Sequence, residues 1–178
     1  MALAPSPTEA DKTGSAPPLP WRWAMLVGVW LLYFSFGLTV ASLAPIVYQV
    51  ETDLGLDHAS MGTILGAWPL IYIASSAPCG ALLDKYGPKR MLFIAILLIS
   101  ASGALRGISE NYIELFLSVV IFGIGGPLIS SGAPKVISIW FSGQNRGLAI
   151  GIYFTGNALG GISAFSLTNS YFLPALGN

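Results

Sequence analysis

From Trp21 to Leu173 the chain passes through five long apolar stretches, and the short polar breaks between them carry most of its charge. Backbone groups in hydrocarbon must be satisfied within their own segment, so apolar runs of about 20 residues read as membrane-spanning helices. The runs cover residues 21–47, 60–83, 89–108, 111–141 and 146–173. They predict an all-α membrane protein with about five transmembrane helices. Residues 1–20, MALAPSPTEADKTGSAPPLP, are rich in Pro, Ala and Ser and lack an apolar core. They predict a disordered tail rather than a cleavable signal peptide.

Composition strengthens this reading. The chain is 54% hydrophobic and 9% charged, whereas a soluble domain carries roughly 25% charged residues. The zero formal charge says little about partners, but no basic stripe is present, so nucleic acid is set aside as a partner. A single cysteine, Cys79, excludes an internal disulfide and a thiolate metal site. His58 is the one histidine and falls in a polar break, so no catalytic constellation, metal site or cofactor is implied and an enzyme is not expected.

Cations orient the spans, since Lys and Arg are retained on the cytoplasmic side during insertion. With the N-terminus inside, Lys12, Arg22, Lys85, Lys89, Arg90, Lys135 and Arg146 fall at the cytoplasmic face, and Arg106 alone lies toward the outside. The break from Tyr48 to Ala59 agrees, carrying Glu51, Asp53, Asp57 and His58 without Lys or Arg. The expectation is a multi-pass protein of the cell membrane whose direct partner is the lipid bilayer. Five spans then leave the C-terminus outside, at LPALGN, which reads as a truncation.

The break between the second and third runs reads Gly80-Ala-Leu-Leu-Asp84-Lys85-Tyr-Gly87-Pro-Lys89-Arg90. Gly80 suits close helix approach, Gly87 a tight turn, and Lys89 and Arg90 anchoring inside. Asp84 lies at a helix C-terminus, where the dipole disfavours a negative charge, so it should seek a cation or the N-terminus of another helix. This stretch resembles the signature Gly-x-x-x-Asp-Arg/Lys-x-Gly-x-Arg/Lys-Arg/Lys of the major facilitator superfamily, with every defined position matched. A second stretch, Trp140-Phe-Ser-Gly-Gln-Asn-Arg146-Gly147-Leu-Ala-Ile-Gly151, is similar to that superfamily's entry into span five. Gly147, Gly156 and Gly160 also fit its fifth-helix pattern, but Gly161 stands where the pattern has Pro. The resemblance implies an incomplete N-terminal six-helix half of an alternating-access transporter. It gives Asp84 a role in a cytoplasmic gate, with Gly80, Lys85, Gly87, Lys89 and Arg90 around it, and implies a missing C-terminal half as partner.

Glycines four apart, Gly62 and Gly66, Gly147 and Gly151, Gly156 and Gly160, predict helix faces that pack backbone to backbone. Nested three-helix repeats would make spans one and four equivalent, and Phe36-Gly37 echoes Phe122-Gly123. Ionisable groups at membrane depth are costly, so each is a candidate for function. Arg106 is placed to draw an anion, to snorkel, or to pair with Glu110 four residues on; Lys135 is placed to snorkel or to touch substrate. Tyr33, Trp68, Tyr72, Tyr153 and Asn157 fall near mid-span, where transporters place the substrate, although interhelical packing is the plainer role. No Asp or Glu lies deep in a span, so proton coupling through a buried carboxylate is not visible.

The function expected is transport of a small solute as part of a longer transporter. Leu105-Arg106 and the Gly-Ala-Pro134-Lys135 run resemble cyanate- and nitrate-type permeases, which implies a small anion. The competing reading is a helical membrane scaffold or assembly subunit, which explains the glycine-rich faces but not the signature around Asp84.

Overall fold

The computed structural model describes residues 19–172 and residue 174. The expected tail falls almost wholly on residues outside that range, as does the expected end of the last span at Leu173. Six helices are described: α1 (Leu19–Ala41), α2 (Val47–Leu54), α3 (His58–Tyr86), α4 (Pro88–Ile108), α5 (Tyr112–Trp140) and α6 (Gln144–Leu167), the last running into a π-helical turn at Thr168–Phe172. No strand is present among the described residues. Among the described residues five segments are long and apolar enough to cross a membrane, counting α1 and α2 as one from Trp21 to Leu54.

Helix ends follow from local chemistry. The Asp57 side chain accepts the Ser60 N–H at 2.9 Å and caps α3. The Ser60 hydroxyl and N–H hold that carboxyl below the usual carboxylate range, so the cap keeps its charge until the pH falls well into acid. Asn111 caps α5 in the same way, accepting the Glu114 N–H at 3.1 Å. Between α3 and α4 the chain turns at Gly87, whose φ of 81° favours glycine, and Pro88 opens α4 at a position that needs no N–H.

The first apolar run does not continue as one helix to residue 47. The helix ends at Ala41, and a 3-10 turn at Ala44–Ile46, started around Pro45, leads into the short α2. Residues 48–54, read from sequence as part of a polar break, are helical because Val47, Val50 and Leu54 share one face. That face packs on a cluster of Leu43, Met61, Ile64, Leu115 and Val119.

The core centres on α5, whose glycines let neighbours in closely. A Cβ at Gly132 would meet Leu83 of α3 and Leu92 of α4 at 3.1 Å, and one at Gly125 would meet Leu98 of α4 at 3.2 Å. α5 also contains Pro127, which lacks an N–H and so leaves Gly123 O without its helical donor. The Ser75 hydroxyl, bonded to Ile71 O at 2.7 Å, also reaches Gly123 O at 3.2 Å from α3.

α1 packs chiefly on α6, and α5 on α3 and α4. The echo of Phe36-Gly37 in Phe122-Gly123 has a packing counterpart. A Cβ at Gly37 would run into Asn157 of α6, and one at Gly123 would meet Ile71 of α3 at 2.8 Å, while Phe36 and Phe122 stack on each other at 5.1 Å.

Candidate functional site

The signature loop joins α3 to α4, and one end of the bundle, the signature end, is built around it. Asp84 lies in the last turn of α3, where its carboxylate opposes the helix dipole. The cation it needs comes from α5: Lys135 Nζ donates to Asp84 Oδ1 at 2.5 Å. The aspartate side chain is 75% exposed and the lysine 40%, so the pair is open to solvent at this end. Lys85 lies with its ammonium 5.3 Å from the Tyr86 ring centre, and Lys89 and Arg90 are exposed on the first turn of α4. Arg146 and Gly147 are exposed on the first turn of α6. Gly80 departs from expectation: a Cβ there would meet nothing within 4 Å, so no described helix approaches it.

Mid-span, the aromatic candidates converge. Tyr33 of α1 stacks on Tyr153 of α6 with ring centres 4.2 Å apart and lies 5.7 Å from Phe36. Phe36 stacks on Phe122, and Trp68 stands edge-on to both Phe122 and Tyr72. The hydroxyls of Tyr72 and Ser130 are hydrogen-bonded at 2.6 Å. Tyr153 is fully buried, and its hydroxyl finds no partner of good geometry among the described residues even though the Tyr33 ring is stacked on it. Asn157 is half-buried, with its backbone pressed against Gly37.

Arg106 pairs with neither Glu110 nor any other carboxylate among the described residues. The α4 helix turns it inward, where Nη1 donates to Thr39 O at 2.7 Å and lies 3.1 Å from Ser42 Oγ. Its guanidinium carbon lies 5.2 Å from the centre of the Phe122 ring. Glu110 instead donates its backbone N–H to Glu114 Oε2 at 2.9 Å. Lys135 likewise is engaged by Asp84 and not by the aromatic cluster.

Sequence reasoning missed Ser130, a mid-span hydroxyl in the Ser130-Ser131 pair whose need for a partner was the available signal. It also missed Glu51, a 9%-exposed carboxylate whose Oε1 lies 2.8 Å from His58 Nδ1. An acid on the apolar face of a short helix is the mark that would have found it.

These features define a multi-pass helical membrane protein with a charged pair at one end and a polar-edged aromatic cluster within. The model of the Major Facilitator Superfamily matches residues 29–176, and the chain belongs to that superfamily. It is 31% identical over 120 residues to the probable L-galactonate transporter of Escherichia coli K12, covering 67% of this chain and 26% of that protein. It is 27% identical over 137 residues to the probable galactarate/D-glucarate transporter of the same organism, covering 74% of this chain and 30% of that protein. A nitrate/nitrite transporter of Picosynechococcus is 28% identical over 151 residues, with 82% of this chain and 27% of that protein covered. The chain thus spans between a quarter and a third of these relatives. Relatives and family alike are solute transporters rather than enzymes.

Proposed function

We propose that this chain forms the front part of a longer transporter that moves a small organic or inorganic anion by alternating access. The signature end faces the cytoplasm in this reading, because seven of the eight Lys and Arg residues fall on that side. The observation that carries the proposal is the Asp84–Lys135 pair, which ties the end of α3 to α5 beside the signature loop. A solvent-open pair of this kind forms and breaks at small free-energy difference, about 1 kcal/mol or less, as a gate contact must. Gly80, Lys85, Gly87, Lys89, Arg90, Arg146 and Gly147 frame that gate. Tyr33, Tyr72 and Asn157 border the solute path, with Tyr153 buried behind Tyr33 as its backing. The preference for an anion is supported by the names of relatives that carry sugar acids and nitrate. A C-terminal half completes the pathway.

Uptake of labelled L-galactonate and of nitrate into proteoliposomes of the full-length transporter tests the proposal. Asp84→Asn is expected to lower the maximal rate by up to about fivefold, equivalent to about 1 kcal/mol, and Lys135→Met to do the same. The double variant should lose no more than either single one. Uptake indifferent to both substitutions removes the gate, and saturable uptake of neutral sugars alone removes the anion.

A further inference from the structure

The last carbonyls of a helix have no backbone donor within it. In α1 this falls at the turn before Ser42 and is made worse by Pro45, which has no N–H to offer Ala41 O. Thr39 O, in that turn, receives the Ser42 N–H at a long 3.4 Å, the Ser42 hydroxyl at 2.9 Å and Arg106 Nη1 at 2.7 Å. A guanidinium from another helix therefore gives this frayed turn its shortest bond and completes its cap. The same group lies over the Phe122 ring, the first in a file of stacked rings running through Phe36 and Tyr33 to Tyr153. One side chain of α4 thus touches both the break in α1 and the aromatic cluster. Beside it opens a cavity of about 460 Å³ lined by Thr39, Ser42, Asp53 and Arg106. This gives the α1–α2 segment room to move and offers a freed guanidinium a carboxylate on α2.

We infer that Arg106 is a positioning residue: it caps α1 from across the helix interface and clasps the Ser42–Pro45 break to α4 and α5, so that the end opposite the signature opens only when this clasp releases. The gating half of the inference rests on the transport reading; the clasp does not. It assigns Arg106 to holding a helix in place, not to drawing in an anion.

The test uses buried reporters at the two ends, Leu43→Cys beside the clasp and Ile137→Cys near the signature end, in a Cys79→Ser background of the full chain in nanodiscs. Maleimide labelling of Leu43→Cys is expected to quicken several-fold in Arg106→Met and to return most of the way in Arg106→Lys, which keeps a donor. Labelling of Ile137→Cys should not move. An unchanged rate at Leu43→Cys, or equal quickening of both reporters, overturns the clasp. In proteoliposomes of the full-length transporter, Arg106→Met should lower maximal uptake several-fold at little-changed half-saturation, again with rescue by Lys. Unaltered uptake beside faster labelling overturns the gating half. No uptake of any tested solute by the unsubstituted protein overturns the transport reading and leaves the clasp standing.

Discussion

Gly156 and Gly160 on α6 and Gly62 and Gly66 on α3 share one spacing and meet opposite surroundings. A Cβ at Gly156 would come within 2.8 Å of Trp30 O, and one at Gly160 would collide with Phe34 O. Neither Gly62 nor Gly66 would meet anything within 4 Å; both line an open groove with Ala59, Thr63, Leu70 and Phe116. Gly147 and Gly151 are equally open. Small residues four apart therefore make a backbone accessible, and whether another backbone arrives depends on the rest of the chain. Where α1 does arrive, the contact is backbone on backbone, which in lipid stands in for the hydrophobic drive that water would supply. The Trp30 indole N–H adds a bond to Thr155 Oγ1 at 3.0 Å along the same seam.

The seam is the most sensitive place in the bundle. Gly160→Val puts a branched side chain against a carbonyl that cannot move without the helix, so it should destabilise the full chain by about 3 kcal/mol, the upper end for overpacking. Unfolding in mixed detergent and lipid micelles measures this. A loss below about 1 kcal/mol would mean that α1 and α6 separate readily, and the contrast with α3 would collapse. Gly123→Ala probes a closed site of another kind, where the neighbours are the Ile71 side chain at 2.8 Å and Trp68 O at 3.0 Å. Because alanine adds a single methyl group that a small shift of α3 can accommodate, the expected loss is about 1–2 kcal/mol.

The contrast also marks what the sequence could and could not reveal. Five apolar spans and the signature from Gly80 to Arg90 are visible because membrane length and charge placement act on the chain locally. The need of Asp84 for a cation was visible for the same reason, as a charge at the wrong end of a dipole. That Lys135 would meet it was not, since the two lie 51 residues apart and only helix packing brings them together. Arg106 misled in a related way. An anion, the membrane surface and Glu110 were the partners its place and spacing offered, but the carbonyl it bonds, Thr39 O, belongs to the end of another helix. The α2 helix was hidden by its acids, which made residues 48–54 look like a loop until the shared face of Val47, Val50 and Leu54 found a core. Aromatic residues in mid-span could be named one by one, yet their stacking into a single file depends on α1 crossing α6 at Gly37 and Gly156 and meeting α5 at Gly126, where a Cβ would lie 3.2 Å from the Phe36 ring.

The weakest expected effect tests the comparison from its other side. Gly62 and Gly151 are exposed, and a methyl group at either meets no atom of the described chain. Nothing in the bundle then opposes the gain from replacing glycine inside a helix, which is about 0.5–1 kcal/mol in favour of alanine. Gly62→Ala and Gly151→Ala should each leave the full chain as stable as before or slightly more so in the micelle assay, with no change in the Trp30 surroundings read by fluorescence. A loss of more than about 1 kcal/mol, the scale of overpacking, would mean that the open faces are covered in the membrane. The same spacing would then have the same consequence in all three places.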